Sequence, residues 1–232
     1  MFYPMYYYDP TYILVMIGAV LSLIASAMVK SAFARYSHVT SRAGITGAQA
    51  AQMILDRNDI RSVRIVGIQG SLTDCYVPSQ KVLKLSESVK DSTSIAAIGV
   101  AAHECGHAIQ DHVGYAPLVL SHALIPVCNF ASKLSWPMIL LGIFFGMTPF
   151  LNIGIITFAV AISFQIITLP IEFNASNRAI ACLRSYGLLT EEELNGVKAV
   201  LKAAALTYVA AAASSLLQLL RLILISRSRR RD

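Results

Sequence analysis

Two histidines stand four positions apart, His103 and His107, with Glu104 directly after the first, inside the stretch Ser92 to His112 (STSIAAIGVAAHECGHAIQDH). On a helix, that spacing brings both imidazoles to one face a turn apart, where they reach a single metal ion. Glu104 then lies about 100° further round. It stands beside the metal without pointing at it, where a carboxylate can take a proton from an attacking water. Two imidazoles plus a carboxylate make zinc the default ion, one per chain. The competing reading is an ordinary pair of histidines on a helix face. Against it stand the small neighbours Ala101, Ala102, Gly106 and Ala108, which permit close packing, and the expense of an ionic cluster in so apolar a chain.

The element that must position these residues is predicted from its flanks. Asp91, Ser92, Thr93 and Ser94 supply capping side chains, and the Ala/Ile/Val run that follows has no proline, so one helix of about five turns is expected. A catalytic zinc site normally takes three protein ligands and leaves one position open. The extended form of the motif would need glycine three residues and histidine six residues beyond His107, where the chain has Gln110 and Val113, and His112 is off register. Between His112 and Thr190 the only acidic residue is Glu172, at the end of a long apolar run in LPIEFNASNRAIACL. A carboxylate where a membrane helix emerges needs a partner or a task. Glu172 is therefore expected to be the third ligand; the alternative is an ion pair with Arg178.

Composition bounds the class. The chain of 232 residues is 56% hydrophobic and only 14% charged, which points to membrane embedding. Its net charge of +6 gathers after the first apolar run and in the tail SRSRRRD, as suits anionic lipid rather than nucleic acid, for which there is no module. Cys75, Cys105, Cys128 and Cys182 have no short pairing pattern and read as free thiols, with Cys105 filling a spare position of the motif.

Along the chain, MFYPMYYYDP has the aromatic character of a membrane-interface segment, and the uncharged run from Thr11 to Val29 is long enough to span. A cleaved signal peptide is disfavoured by the lack of an early positive charge. Lys30, Arg35 and Arg42 follow, so the positive-inside rule puts residue 30 onward in the cytosol. Residues 43 to 91 read as a small soluble unit, with an amphipathic helix burying Ala50, Ala51, Met53 and Ile54, and strands over 61–68 and 81–86. An exposed strand edge near the metal helix would accept an extended peptide as an added strand. After His112 comes an apolar, proline-containing helix, kinked or on the membrane surface. Leu134 to Ile171 is then predicted to be a transmembrane hairpin turning at Thr148, Pro149, Asn152 and Gly154. Glu191, Glu192 and Glu193 open a last helix capped by Thr190. Its part from Ala203 to Leu220 is long enough to cross, but that would put the arginine tail outside, so about three spans are expected.

The fragments LTDCYVPSQKVLKLS, GVAAHECGHAIQ, IEFNASNRA and LKAAALTYVAAAASSLLQLLR resemble the YugP-type neutral zinc metallopeptidases of bacterial membranes. More distantly, the chain is similar to the HtpX-type proteases and the CAAX prenyl endopeptidases. The resemblance implies zinc at His103, His107 and Glu172 with Glu104 as general base. It also has departures: Cys75 stands where the family usually has His, Asn174 where it usually has Asp, and position 176 is Ser where the distant relatives place an Asp that orients a zinc-binding histidine. Asn174, Ser176 or Asp74 are the candidates to fill that role.

The expected architecture is a mainly α integral membrane protein with a zincin-like helical catalytic core, a small β element and about three transmembrane helices. Its parts are a first span over 1–30, a cytosolic catalytic part over 31–133, a hairpin over 134–171, and a third-ligand and C-terminal helical region over 172–232. The expected function is a gluzincin-like, zinc-dependent endopeptidase in a bacterial plasma membrane. It would act on protein substrates at the cytosolic face, with Arg178, Tyr76 or Tyr208 as candidate donors to the oxyanion. Two alternatives are weighed. An intramembrane protease would need a later Asp, which is absent between Asp111 and Asp232. A non-catalytic membrane assembly subunit with a structural metal, or none, would normally offer a fourth, thiolate-rich ligand set.

Overall fold

Residues 9–228 are described by the computed structural model; residues 1–8 and 229–232, the latter three arginines and Asp232, lie outside the described residues, and with them most of the expectations for the two chain ends. Seven helices and three strands follow in the order α1 (Tyr12–Ser37), α2 (Gly47–Arg57), β1 (Arg64–Ile68), β2 (Cys75–Val77), β3 (Val82–Ser86), α3 (Glu87–Lys90), α4 (Ile95–His112), α5 (Ala116–Phe144), α6 (Thr148–Ser185) and α7 (Glu191–Ser228). The chain is therefore mainly helical. Four helices, α1, α5, α6 and α7, are long and apolar enough to cross a membrane. That is one more than the expected count of about three: α7 runs unbroken through the alanine-rich stretch.

The described residues divide into two compact units, one holding 25–123 and 167–208, the other 9–24, 124–166 and 209–228. In the first, α2 begins with a reciprocal cap between Thr46 and Gln49 and turns Ala50, Ala51, Ile54 and Leu55 inward, as its apolar spacing dictates. These meet Leu83 and Leu85 of β3, Ile98, Ala101 and Ala102 of α4, Leu183 of α6 and Leu194 and Val197 of α7 in one buried core. The sheet has the order β1-β3-β2, with β1 parallel to β3 and β2 antiparallel to it (Tyr76 opposite Leu83). β2 is an edge strand of three residues, too short for any alternation in the sequence to reveal it.

In the second unit α5 and α6 form the hairpin, but its turn lies at residues 145–147, with Gly146 at φ +67°, not at Thr148 to Gly154 as expected. The reason is that proline serves the first turn of a helix as readily as it serves a bend, and Thr148-Pro149 opens α6. Gly154 instead meets α5, where an added Cβ would lie 2.7 Å from the side chain of Ile139. α5 itself begins at Ala116 and carries Pro126 and Pro137 within one helix, a tolerated arrangement for apolar spans.

Candidate metal centre

The N-terminus of α4 is fixed twice. The Ser94 hydroxyl accepts from the Ala97 amide (3.2 Å), and the Ile95 amide donates to the Val39 carbonyl (2.9 Å). From this start the helix carries His103 and His107 to one face, their rings edge to face at 4.8 Å and their Nε2 atoms 3.2 Å apart. α6 supplies Glu172, whose Oε2 stands 3.3 Å from His103 Nε2 and 3.7 Å from His107 Nε2. The two helices come this close because of Gly106, where a Cβ would lie 2.4 Å from the Ala175 carbonyl oxygen. The alternative weighed for Glu172, an ion pair with Arg178, is not what the structure shows: Arg178 Nε bonds to Asn174 instead.

These three residues fit a zinc ion. Bonds of about 2.0–2.1 Å at tetrahedral angles require ligand atoms about 3.4 Å apart, and the observed separations bracket that spacing. Glu172 Oε2 is buried and makes no hydrogen bond despite the nearness of both imidazoles. A buried carboxylate oxygen left without a hydrogen bond beside two imidazole nitrogens is the arrangement a shared cation would relieve. Among the described residues, His103, His107 and Glu172 form the group of ligand side chains that could hold a metal.

Glu104, on the neighbouring face of α4, is buried, and its Oε2 accepts the backbone N–H of Tyr76 in β2 at 2.9 Å. Burial pushes its carboxyl above the ordinary range, although the two imidazoles pull the other way. Behind the two histidines, Ser176 Oγ stands 3.1 Å from His103 Nδ1, and Gln110 Oε1 stands 3.0 Å from His107 Nδ1. Ser176 was anticipated. Gln110 and the Tyr76 amide were not, though a fully buried glutamine one turn beyond His107 was a polar residue in need of a partner.

The other anticipated residues separate into two groups. Tyr208, Asp74 and Ser176 line a cavity of about 260 Å³ with His103, Glu104 and Glu172; Val29, Phe33, Ala204 and Ala205 give it apolar walls. Asp74 also holds the β3 end through the Ser86 amide and hydroxyl (2.7 and 3.0 Å). Tyr76 and Arg178, by contrast, are not among the residues lining that cavity, and each bonds elsewhere. The Tyr76 hydroxyl donates to Asp111 at 2.6 Å, and Arg178 Nε donates to Asn174 Oδ1 at 2.8 Å. Burial works to raise the Asp111 carboxyl, but hydrogen bonds from Lys81 and Tyr76 outweigh it and leave the carboxyl below its ordinary value. Cys105 packs into the core with its thiol 3.6 Å from the Ala51 carbonyl. It takes no part in the site.

Comparison with known proteins agrees with this chemistry. Residues 11–227 match the model of a family described as "Putative neutral zinc metallopeptidase". The chain is 48% identical over 205 residues to "Putative membrane protease YugP" of Bacillus subtilis (strain 168), covering 88% of this chain and 91% of that protein. No solved structure matches it.

Proposed function

Because the chain belongs to the neutral zinc metallopeptidase family, we propose that it is a membrane-embedded endopeptidase. In this reading one zinc ion is held by His103, His107 and Glu172, and the substrates are membrane or membrane-adjacent proteins. The observation that carries the proposal is the convergence of two Nε2 atoms and a buried, unbonded carboxylate oxygen beside Glu104. Zinc there would supply Lewis acidity, acidifying water and polarising a scissile carbonyl.

The chain's own groups do the rest. Glu104 takes the proton from the attacking water and passes it to the leaving amine. The Tyr76 amide occupies Glu104 Oε2, which orients the carboxylate and leaves its other oxygen for that transfer. Of the three candidate oxyanion donors, Tyr208 borders the cavity and is assigned that role. β2, the edge strand that touches Glu104, is where the backbone of an extended substrate would pair, independently of sequence. A cytosolic site is supported by Lys30, Arg35 and Arg42, which follow the first apolar run, under the positive-inside rule.

The test compares metal content and cleavage of an unfolded protein by detergent-purified wild type, Glu104→Gln and Glu172→Ala. The expected result is about one zinc in the wild type, zinc without activity in Glu104→Gln, and loss of zinc in Glu172→Ala. Wild type that binds no zinc would sink the enzyme reading and favour a non-catalytic membrane subunit.

A further inference from the structure

The two candidate ligand histidines are held from behind by different kinds of group. Ser176 presents a hydroxyl to His103 Nδ1, and a hydroxyl either donates or accepts, so it leaves open which imidazole nitrogen carries the hydrogen. Gln110 leaves no such freedom. Its Nε2 lies 2.8 Å from the Ile171 carbonyl oxygen and 3.0 Å from Asn174 Oδ1. A carbonyl only accepts, so this end of the Gln110 amide must be the NH2. The Asn174 atom is fixed in turn, because Arg178 Nε, which only donates, bonds to it at 2.8 Å. Gln110 is fully buried, so no water competes for these positions. Its oxygen therefore faces His107 Nδ1, at 3.0 Å, and can only accept from it.

We infer that Gln110 is a positioning residue for the metal site: anchored by Ile171 and by the Arg178–Asn174 pair, it forces His107 to carry its hydrogen on Nδ1. Nε2 is then left with a bare lone pair turned toward Glu172 and His103. A neutral imidazole must present an unprotonated nitrogen to a metal, and a protein acceptor behind the ring pre-selects that form before any ion arrives. The wiring also makes a selective prediction. Asn174 acts here only as an acceptor, from Gln110 and from Arg178. Asp at that position serves equally well, whereas Leu removes the anchor.

This inference rests on the metal assignment above, and its test separates the two. Zinc affinity is measured by chelator competition on the full-length protein in detergent, and the imidazole ¹⁵N shifts of the zinc-free protein report which nitrogen of His107 bears the hydrogen. The expected results are an Nδ1–H form in wild type and in Asn174→Asp, and zinc affinity in Gln110→Met lower by about 10–100-fold. Gln110→Glu, nearly isosteric but placing an oxygen against the Ile171 and Asn174 oxygens, loses the anchor and should lose affinity as well, whereas Asn174→Asp should stay near the wild type. Wild-type His107 protonated on Nε2 overturns the inference without any variant needing to fold. So does unchanged affinity in Gln110→Met or in Gln110→Glu, since a residue that merely fills space would tolerate both. Wild type without zinc but with the Nδ1–H form would leave Gln110 in its role and overturn the metal reading instead.

Discussion

The unit that holds the histidines and the unit that holds most of the apolar helix length are assembled by different forces. In the first, Ile54, Leu55, Leu83, Leu85, Ile98, Leu183 and Leu194 are fully withdrawn from the surface and form one continuous core. In the second, the buried cluster is only Ile139, Leu151 and Leu222, while Leu23, Phe130, Phe144 and Phe145 are 70%, 69%, 79% and 72% exposed. Such side chains mark a surface meant for lipid, which is as apolar as they are and gives no reward for their burial. What joins those helices is close approach at small residues. A Cβ at Gly142 would lie 2.5 Å from the Leu151 amide nitrogen, and Ser22 Oγ and Ser214 Oγ stand 3.0 Å apart. Removing bulk should harm the first unit, and adding bulk the second.

The widest contrast comes from truncating one large side chain in each. Leu83→Ala should destabilise the protein by about 2–5 kcal/mol, because it opens a cavity in a closed core, whereas Phe130→Ala should stay within about 0.5 kcal/mol. Denaturant unfolding in the same detergent measures both. Equal losses would erase the distinction. Next in size, Gly142→Val adds bulk against the α6 backbone and should lose about 1–3 kcal/mol through overpacking, read as a lowered thermal midpoint.

A smaller effect belongs to the ion pair of Asp111 with Lys81 in the first unit. Asp111 accepts from Lys81 and from the Tyr76 hydroxyl, both at 2.6 Å, and its carboxyl is held below its ordinary value. A depressed carboxyl contributes stability above its unfolded pKa, and that contribution disappears as pH falls through the lower, folded one. With Lys81 half exposed, the advantage of wild type over Asp111→Asn should be about 0.2–1 kcal/mol at pH 7 and vanish in strong acid, measured on the zinc-free protein. An advantage that persists in acid would show the carboxylate charge to be irrelevant. Smallest of all, Ser22→Ala removes one hydroxyl contact between α1 and α7 and should lower stability by about 0.6 kcal/mol. A loss several times larger would mean that polar contacts, rather than close packing, hold this unit together.

The sequence disclosed the site in proportion to how local each signal was. His103, Glu104 and His107 share one helix with visible caps, and helical geometry alone fixes their relation. Glu172 was legible from its isolation, being the one acidic residue in a long apolar stretch. Gln110 was not, because its task is defined by partners 61 and 64 positions away, Ile171 and Asn174. β2 was missed because three residues carry no periodicity, although its Tyr76 amide touches Glu104. The hairpin turn was misplaced because Thr-Pro opens helices as well as bends. Tyr76 and Arg178 had the right chemistry for an oxyanion donor, but only the folded contacts reveal that Asp111 and Asn174 already engage them.

All four cysteines are free; Cys105, Cys128 and Cys182 are buried, whereas Cys75, immediately before Tyr76 in β2, is half-buried. The protein thus has a native attachment point for a fluorophore or spin label one residue from the strand amide that holds Glu104, with no cysteine to engineer or delete. Burial first, and then the charge of Glu104, hold the Cys75 thiol above its usual range, so a thiol reagent meets it more slowly than a free cysteine.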